Sequence, residues 1–451
     1  MHPDLFLNWN DLLGVLICFI FSLGFLYYFR IRITDPVTYK EFRTGFYLRM
    51  LGAFAYAIFN LYYIKADGSK YFAGAKIVAD VMRHASFSDT LKMFFSDFYE
   101  LPIRVKQFFS NDFVINEVYN DHLTMLHISG VISFFTFDSY LAIAFFLTLW
   151  SYIGIWLIYR TALVYYPKAQ KWLFYIMIAY PPLWFWTTGL MKEPICMGAL
   201  GVLFCFFFNK EARKKRPILL LLLTLFSAYL LIQVKSYLLI SFLVAAGLAY
   251  LINSIHKISV TQKWIVYVSL ITILFMLLFV YSDFIEQQLA KVFTDEFTDR
   301  IKTTTGVQLM QGGSSYDLGE IDISGWGMFT YAAAALNVAL FRPYPWEYLN
   351  PMVLAASLES MAMLFMLLFL FIKVGPLNIR RIAIDSPVLL FSFFFTIFTA
   401  IMAGGIAFNF GTLIRYKIPL IPFYFIFIIC IYYRHQQNLM DEKSSPSAIK
   451  H

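Results

Sequence analysis

Residues 210–257 read KEARKKRPILLLLLTLFSAYLLIQVKSYLLISFLVAAGLAYLINSIHK. A basic cluster opens the stretch, and two apolar runs follow, 217–233 and 237–253, parted only by the short polar turn around Lys235. An α-helix rises 1.5 Å per residue, so each run makes a rod of roughly 25 Å, close to the ~30 Å of a bilayer's hydrocarbon. The reading is two membrane helices with cations at their outer flanks.

The same pattern extends in both directions. The chain of 451 residues is 60% hydrophobic and 14% charged, with 50 Phe. A soluble domain carries about 25% charged residues, so composition excludes that class and predicts an all-α, polytopic membrane helix bundle. Apolar runs place about eleven spans near 11–29, 46–63, 138–159, 172–188, 194–208, 217–233, 237–253, 264–282, 351–372, 387–405 and 417–433. No basic region precedes the first run, so residues 1–10 do not read as a cleaved signal and the first helix is expected to stay. No internal repeat or soluble domain is visible. The chain reads as one integral membrane domain, 1–451, with a polar cytoplasmic tail at 435–451.

Lys and Arg crowd into alternate loops: Arg30 to Arg43, Arg160 to Lys171, Lys210 to Arg216, Lys257 and Lys263, Lys373 to Arg381, and the tail. Cationic loops stay in the cytoplasm, which predicts an outward N-terminus and an inward C-terminus. The net charge of +8 is then explained by orientation and anionic lipid, and a nucleic-acid role is set aside. Cys18, Cys196, Cys205 and Cys430 lie in apolar runs without metal or redox spacing, and read as small core residues. His2, His84, His122 and His127 show no ligand spacing either, so no cofactor is expected, and a divalent metal lacks a recognisable set of ligands.

Two long segments fall on the outward side, the extracytoplasmic loops 64–137 and 283–350. In the first, Phe87, Leu91, Phe94, Phe95, Phe98 and Leu101 recur at helical spacing opposite Ser88, Asp89, Lys92, Ser96, Asp97 and Glu100. Ser86 and Asp89 form a capping box, and the whole predicts an amphipathic helix at the membrane surface. Ile103 to Phe109 and Met125 to Phe137 are too short to cross. The second loop holds an amphipathic stretch, Phe284 to Ile301, a Gly/Ser piece at 312–315, and an apolar run from Met328 to Phe341.

Four outward motifs carry the chemistry, because ionisable groups beside membrane helices need water, a partner or a substrate. Asp67 precedes Gly68, which permits a sharp turn, and Tyr71, Ala75 and Ala79 then share one helix face. Asp67 reads either as a helix cap or as a general base on an acceptor hydroxyl. In TTGLMKEPI, Lys192 and Glu193 precede Pro194 at a helix start, suited to a phosphate and a hydroxylated ligand or equally to snorkelling and a first-turn charge. In LFRPYPWEYLNP, two prolines are expected to hold Arg342, Trp346 and Glu347 on an extended strip that grips phosphate and stacks on a sugar ring, while Trp346 and Tyr348 also suit an aromatic belt. Glu359 lies two turns into the next span and requires a partner. In GTLIRYKIPLIP, Arg415, Tyr416 and Lys417 open the last span. Lys192, Arg342, Arg415 and Lys417, with Lys235, are expected to ring one anionic site. Asp80 and Asp121 are weaker candidates.

The order of these features resembles the C-type membrane glycosyltransferases over residues 46 to about 210, with a looser match beyond. The resemblance rests on the outward Asp67-x-x-x-Tyr71 loop, the basic turn LIYRTALVYYPKA and the returning YPPLWFWTTGLMKEP. It implies that Asp67 is the catalytic aspartate, that Glu193-Pro194 matches an acidic residue before proline in the next outward turn, and that Arg415-Tyr416-x-x-Pro419 is a terminal feature. The expected activity is transfer of a sugar from a polyprenyl-phosphate carrier to a lipid-linked or cell-envelope glycan on the extracytoplasmic face of a bacterial inner membrane. Tyr71, Lys192, Glu193, Arg342, Trp346, Glu347, Arg415, Tyr416 and Lys417 would bind the substrates. The Arg-Pro-x-Pro-Trp-Glu strip is also similar to O-antigen-polymerase-type enzymes, which keeps open a polymerase or ligase acting on lipid-diphosphate oligosaccharides. A glycolipid transporter or flippase is the alternative of another class, but it calls for mid-span polar positions and a twofold repeat.

Overall fold

The computed structural model describes residues 9–63, 67–95, 123–257, 316, 325–347, 351–407 and 409–444. Every described element is helical. The expected span 264–282, the amphipathic stretch 284–301, the Gly/Ser piece, Ile103 to Phe109, Asp121, His2, His122 and Tyr348 lie outside the described residues. The chain divides into two compact units, Met1–Ile240 and Ser241–His451. That boundary was invisible in composition because it falls inside an apolar run.

The first unit comprises α1 (Trp9–Arg32), α2 (Pro36–Ile58), α3 (Asp67–His84), α4 (Phe87–Phe95), α5 (Leu123–Phe135), α6 (Tyr140–Tyr165), α7 (Gln170–Ala179), α8 (Pro181–Trp186), α9 (Lys192–Phe208), α10 (Lys210–Lys215) and the first part of α11 (Pro217–Lys257). Helix starts follow local chemistry. Asp35 accepts from the Thr38 N–H at 2.8 Å ahead of Pro36, the Thr38 hydroxyl and then its N–H hold the Asp35 carboxyl below the usual range, and Ser139 accepts from the Ala142 N–H at 3.2 Å. The centre is α6, buried along its whole length and packed against α2 and α9. Gly154 of α6 meets Gly198 and Gly201 of α9 backbone to backbone, an approach no Cβ would tolerate, and such contacts drive helix association where no hydrophobic effect operates. By contrast α1 buries one stripe, Asp11, Gly14, Cys18 and Leu26, and exposes Leu12, Leu16, Phe19, Ile20 and Leu23.

The two ends of this unit differ. Arg160 donates to Thr38 at 3.3 Å, Gln170 to Glu41 at 2.9 Å and Tyr165 to the Phe208 carbonyl at 2.8 Å. The three basic loops therefore gather at one end. Ser139 donates to Asp11 at 2.9 Å and Asn60 to Tyr140 at 3.0 Å at the other.

The second unit contains the rest of α11, α12 (Gly325–Phe341), α13 (Pro351–Val374), α14 (Pro376–Ile384), α15 (Pro387–Ala407), α16 (Phe410–Tyr416) and α17 (Ile421–Ser444). Its core is aromatic, with Phe242, Phe391, Phe395 and Phe423 in mutual ring contact and all fully buried.

Among the described residues, six helices are long and apolar enough to cross a membrane: Asp11–Arg32, Tyr140–Tyr165, Pro217–Lys257, Val353–Val374, Pro387–Ala407 and Phe410–Glu442. The difference from the eleven expected spans has local causes. Helix α2 carries Lys40, Glu41, Arg43 and Arg49, the run 172–188 breaks at Pro181, and 217–233 and 237–253 form one 41-residue helix broken only at Lys235, whose φ of −154° and ψ of 78° are not helical. Leu123–Phe135 is a short apolar helix of 13 residues. In α4 the capping box forms, Asp89 N–H to Ser86 Oγ at 3.2 Å and Ser86 Oγ to Asp89 at 2.8 Å. Asp89 is nevertheless buried rather than on a wet face, while Phe87, Leu91 and Phe95 are exposed.

Candidate functional site

At the less basic end of the first unit, α2 finishes in a π-helical turn, Phe59–Tyr63. Asn60 in that turn is fully buried and donates to Tyr140 at 3.0 Å and to Ser69 at 3.1 Å. One amide thereby ties together the ends of α2, α3 and α6. Asp67 is the first residue of α3 and half-buried, where the helix dipole favours a carboxylate. Behind it, a Cβ on Gly68 would sit 3.0 Å from Asn60 Nδ2, from the Leu190 carbonyl and from the Tyr140 hydroxyl. A side chain there would be tighter than most real contacts, and its neighbours would have to give by a few tenths of an ångström. Tyr71, Ala75 and Ala79 are buried along one face, as their spacing predicts, and α3 packs there on α5, with Gly130 against Val78.

Leu190 belongs to the turn that leads into α9, and that turn is held from below. Pro181 has no N–H, so the Met177 carbonyl four residues earlier loses its helical partner. Arg49 replaces it. Its guanidinium is fully buried and donates to Met177 O at 2.5 Å, Leu183 O at 2.9 Å and Thr187 Oγ1 at 2.5 Å. Gly189 then takes φ of +84°, in the left-handed region glycine favours, and donates its N–H to Thr148 at 2.9 Å. Helix α9 starts immediately afterwards, with Met191 at the cap position providing no side-chain acceptor. Lys192 is half-buried, and Glu193 is buried and accepts from Lys235 Nζ at 3.0 Å. The cation of the break in α11 thus meets the carboxylate of the first turn of α9.

In the second unit the Arg-Pro-x-Pro-Trp-Glu motif does not form the extended strip expected of it. Pro345–Glu347 makes a turn of 3-10 helix, Glu347 accepts from the Tyr344 N–H at 2.7 Å, and Arg342 folds back onto Glu347. Burial alone would raise the Glu347 carboxyl, but the Arg342 guanidinium and the Tyr344 N–H overcome it and hold it below the ordinary range. Arg342 also lies over the rings of Tyr316 and Phe410, at 5.8 and 5.5 Å. Trp346 is exposed and stacks on Tyr344 with ring centres 4.8 Å apart.

Lys417 corrects the sequence reading most clearly. It does not face an outward anion but is fully buried, donating to Ser360 Oγ at 3.0 Å and lying 3.3 Å from Glu359. Ser360 in turn donates to the Arg342 carbonyl at 2.9 Å. The partner that Glu359 required is Lys417. The expected ring of five cations is reduced accordingly: Lys235, Arg342 and Lys417 each carry a carboxylate of their own, and Lys192 and Arg415 are half-buried and engaged by other groups. Tyr416 is half-buried next to Arg415 on α16. Asp67, Tyr71, Lys192 and Glu193 belong to the first unit, and Arg342, Trp346, Glu347, Arg415, Tyr416 and Lys417 to the second. Asp80 is paired with Arg83 at 3.1 Å on an open surface.

Asn60, Arg49 and Tyr140 were missed by sequence reasoning. Arg49 had a signal, a charge inside an apolar run; Asn60 and Tyr140 had none, because a neutral polar residue near a helix end is unremarkable until its partner is seen. Among the described residues no group of three or more His, Cys, Asp or Glu is placed to hold a metal ion. No family model matches the chain, and neither a curated protein nor a solved structure matches it.

Proposed function

We propose that the chain is a polytopic membrane glycosyltransferase that moves a sugar from a polyprenyl-phosphate carrier to a glycan or glycolipid acceptor at the extracytoplasmic face of a bacterial inner membrane. One observation supports this reading above the others: Gly68 seats the first turn of α3 against the Leu190 carbonyl, so the Asp67 end of α3 lies beside the turn that carries Lys192 and Glu193, at the end of the unit opposite the basic loops. In this reading α11 is two spans meeting at Lys235, since 217–234 and 236–257 extend about 27 and 33 Å, each near a bilayer's ~30 Å. The termini then lie outward and inward as the loop charges dictate.

The chemistry follows from the groups present. Asp67 takes the proton of the acceptor hydroxyl as its oxygen bonds to the anomeric carbon, and the bond from that carbon to the carrier phosphate breaks. Negative charge grows on the departing phosphate and is stabilised by nearby cations, Lys192 among them.

The test uses membranes containing the full-length chain or Asp67→Asn, supplied with lipid-linked sugars extracted from the host, with products identified by mass spectrometry. Removal of a general base typically costs ~10²-fold or more in rate, so the variant should accumulate at the wild-type level and form almost no glycosidic product. Full transfer by Asp67→Asn overturns Asp67 as the base, absence of glycosidic product from the wild type overturns the transferase reading, and movement of labelled lipid without a new glycosidic bond reassigns the chain to transport.

A further inference from the structure

Glu193 and Lys235 form a buried ion pair in the first unit, with side chains 4% and 6% exposed and the ammonium 3.0 Å from the carboxylate. Withdrawing two charges from water costs more than a pair of this kind usually returns in stability. Non-helical backbone at membrane depth is tolerated where it is packed in protein or lines a wet cavity, and Lys235 occurs at the one non-helical position inside α11. The sequence thus places a cation at a helix break and an anion in the first turn of a neighbouring helix, three residues beyond the Leu190 carbonyl that lies against Gly68. The positive end of the α9 dipole favours a negative group at this spot whatever its source. A second cation, Lys192, immediately precedes Glu193.

We propose that this pair is an exchange site for the carrier phosphate, a monoanionic diester in the sugar-loaded donor and a dianionic monoester once the sugar has left. Resting on the transferase reading above, the inference is that Glu193 holds the place of the phosphate while the site is empty, and that an incoming carrier phosphate displaces it from Lys235. Lys235 is then the phosphate-binding cation, and Glu193 is its internal counter-ion. The site prefers a dianionic monoester to a neutral lipid, because only the former replaces the charge that Glu193 withdraws. It also explains why the pair is salt-bridged rather than apolar: an aliphatic pair of equal volume would pack as well and bind nothing.

The experiment measures equilibrium binding to the full-length protein in detergent by native mass spectrometry. Its probes are polyprenyl monophosphate, phosphatidic acid, inorganic phosphate and unphosphorylated polyprenol, and its proteins are wild type, K235Q, E193Q and the reversed pair E193K/K235E. Wild type should bind polyprenyl monophosphate and not polyprenol. K235Q should weaken that binding by ~tenfold or more, the size expected on removing one partner of a buried charge contact. E193Q, which keeps a hydrogen bond to Lys235 but no charge, should bind several-fold tighter. The reversed pair should recover the wild-type melting temperature without recovering affinity. Binding to the reversed pair at wild-type strength, equal binding of polyprenol, or no phosphate binding to wild type overturns the proposal. If the lysine variants are not recovered folded, E193Q decides alone, and unchanged affinity overturns it. Stronger binding of the carrier than of phosphatidic acid, with competition by inorganic phosphate, assigns the site to the carrier, whereas the reverse order assigns it to a bilayer lipid. A wild-type protein that forms no glycosidic product, alongside Lys235-dependent binding, removes the transferase reading and leaves the phosphate site standing.

Discussion

Among the described residues each unit buries one Glu–Lys pair between helices, and the two pairs are built differently. Glu193 receives a well-directed bond from Lys235 at 3.0 Å, with Lys235 at a break in α11. Glu359 lies 3.3 Å from Lys417 without the geometry of a hydrogen bond, because the ammonium, at the junction of α16 and the following turn of 3-10 helix, is directed at Ser360 instead. Lys417 is thus shared between a hydroxyl and a charge, and through Ser360 it fixes the backbone of Arg342. That arrangement locks three segments together. The Glu193–Lys235 pair joins two helix starts beside the Asp67 turn, where a ligand's charge is able to stand in for a carboxylate. The comparison teaches that similar ion pairs serve as a clamp or as a site according to what else the lysine holds.

The largest effect should come from breaking the clamp. Lys417→Met leaves Glu359 buried and uncompensated, which costs ~3–5 kcal/mol, whereas the double variant E359M/K417M should regain most of it in thermal unfolding in detergent. A K417M protein as stable as wild type would erase the distinction between the pairs. Smaller is Ser360→Ala, which deprives Lys417 and the Arg342 carbonyl of one partner each and should cost ~1–2 kcal/mol by the same measurement. The same change should leave polyprenyl phosphate binding as it was.

The pH dependence of the second unit sharpens the contrast further. Because the folded Glu347 carboxyl is depressed by Arg342 and the Tyr344 N–H, its contribution is present above the ordinary glutamate value of 4.5 and is lost as pH falls through the folded value. Wild type should therefore lose melting temperature below that ordinary value more steeply than Glu347→Gln, and parallel curves would refute the assignment. The smallest effect is expected from Tyr140→Phe, which removes one neutral hydrogen bond to Asn60, worth ~1 kcal/mol. A drop in transfer rate beyond that in stability would show that the Asn60–Tyr140 contact positions Asp67 for the reaction.

Much of this architecture was legible beforehand. Gly68 with Tyr71, Ala75 and Ala79 predicted a helix starting at Asp67 and buried on one side, and the chain shows it. Ser86 and Asp89 predicted a capping box, which forms, yet the inward turn of Asp89 was not readable, since periodicity tells which residues share a face and not which face is covered. Basic loops 30–43, 160–171 and 209–216 predicted a common end, and Thr38–Arg160, Glu41–Gln170 and Tyr165–Phe208 bring them together. The expected ring of cations is reduced because distant carboxylates take Lys235 and Lys417 and the nearby Glu347 takes Arg342.

Sequence alone determined the solvent, the secondary structure and the alternation of charge, because apolar run length, proline and glycine placement, and loop cations act locally along the chain. Tertiary structure alone decided which charges are spent within the protein. Pairing between Glu193 and Lys235, or Glu359 and Lys417, depends on helices brought together across 42 and 57 to 58 positions of sequence. Coulomb energy depends on separation in space, to which spacing along the chain is blind.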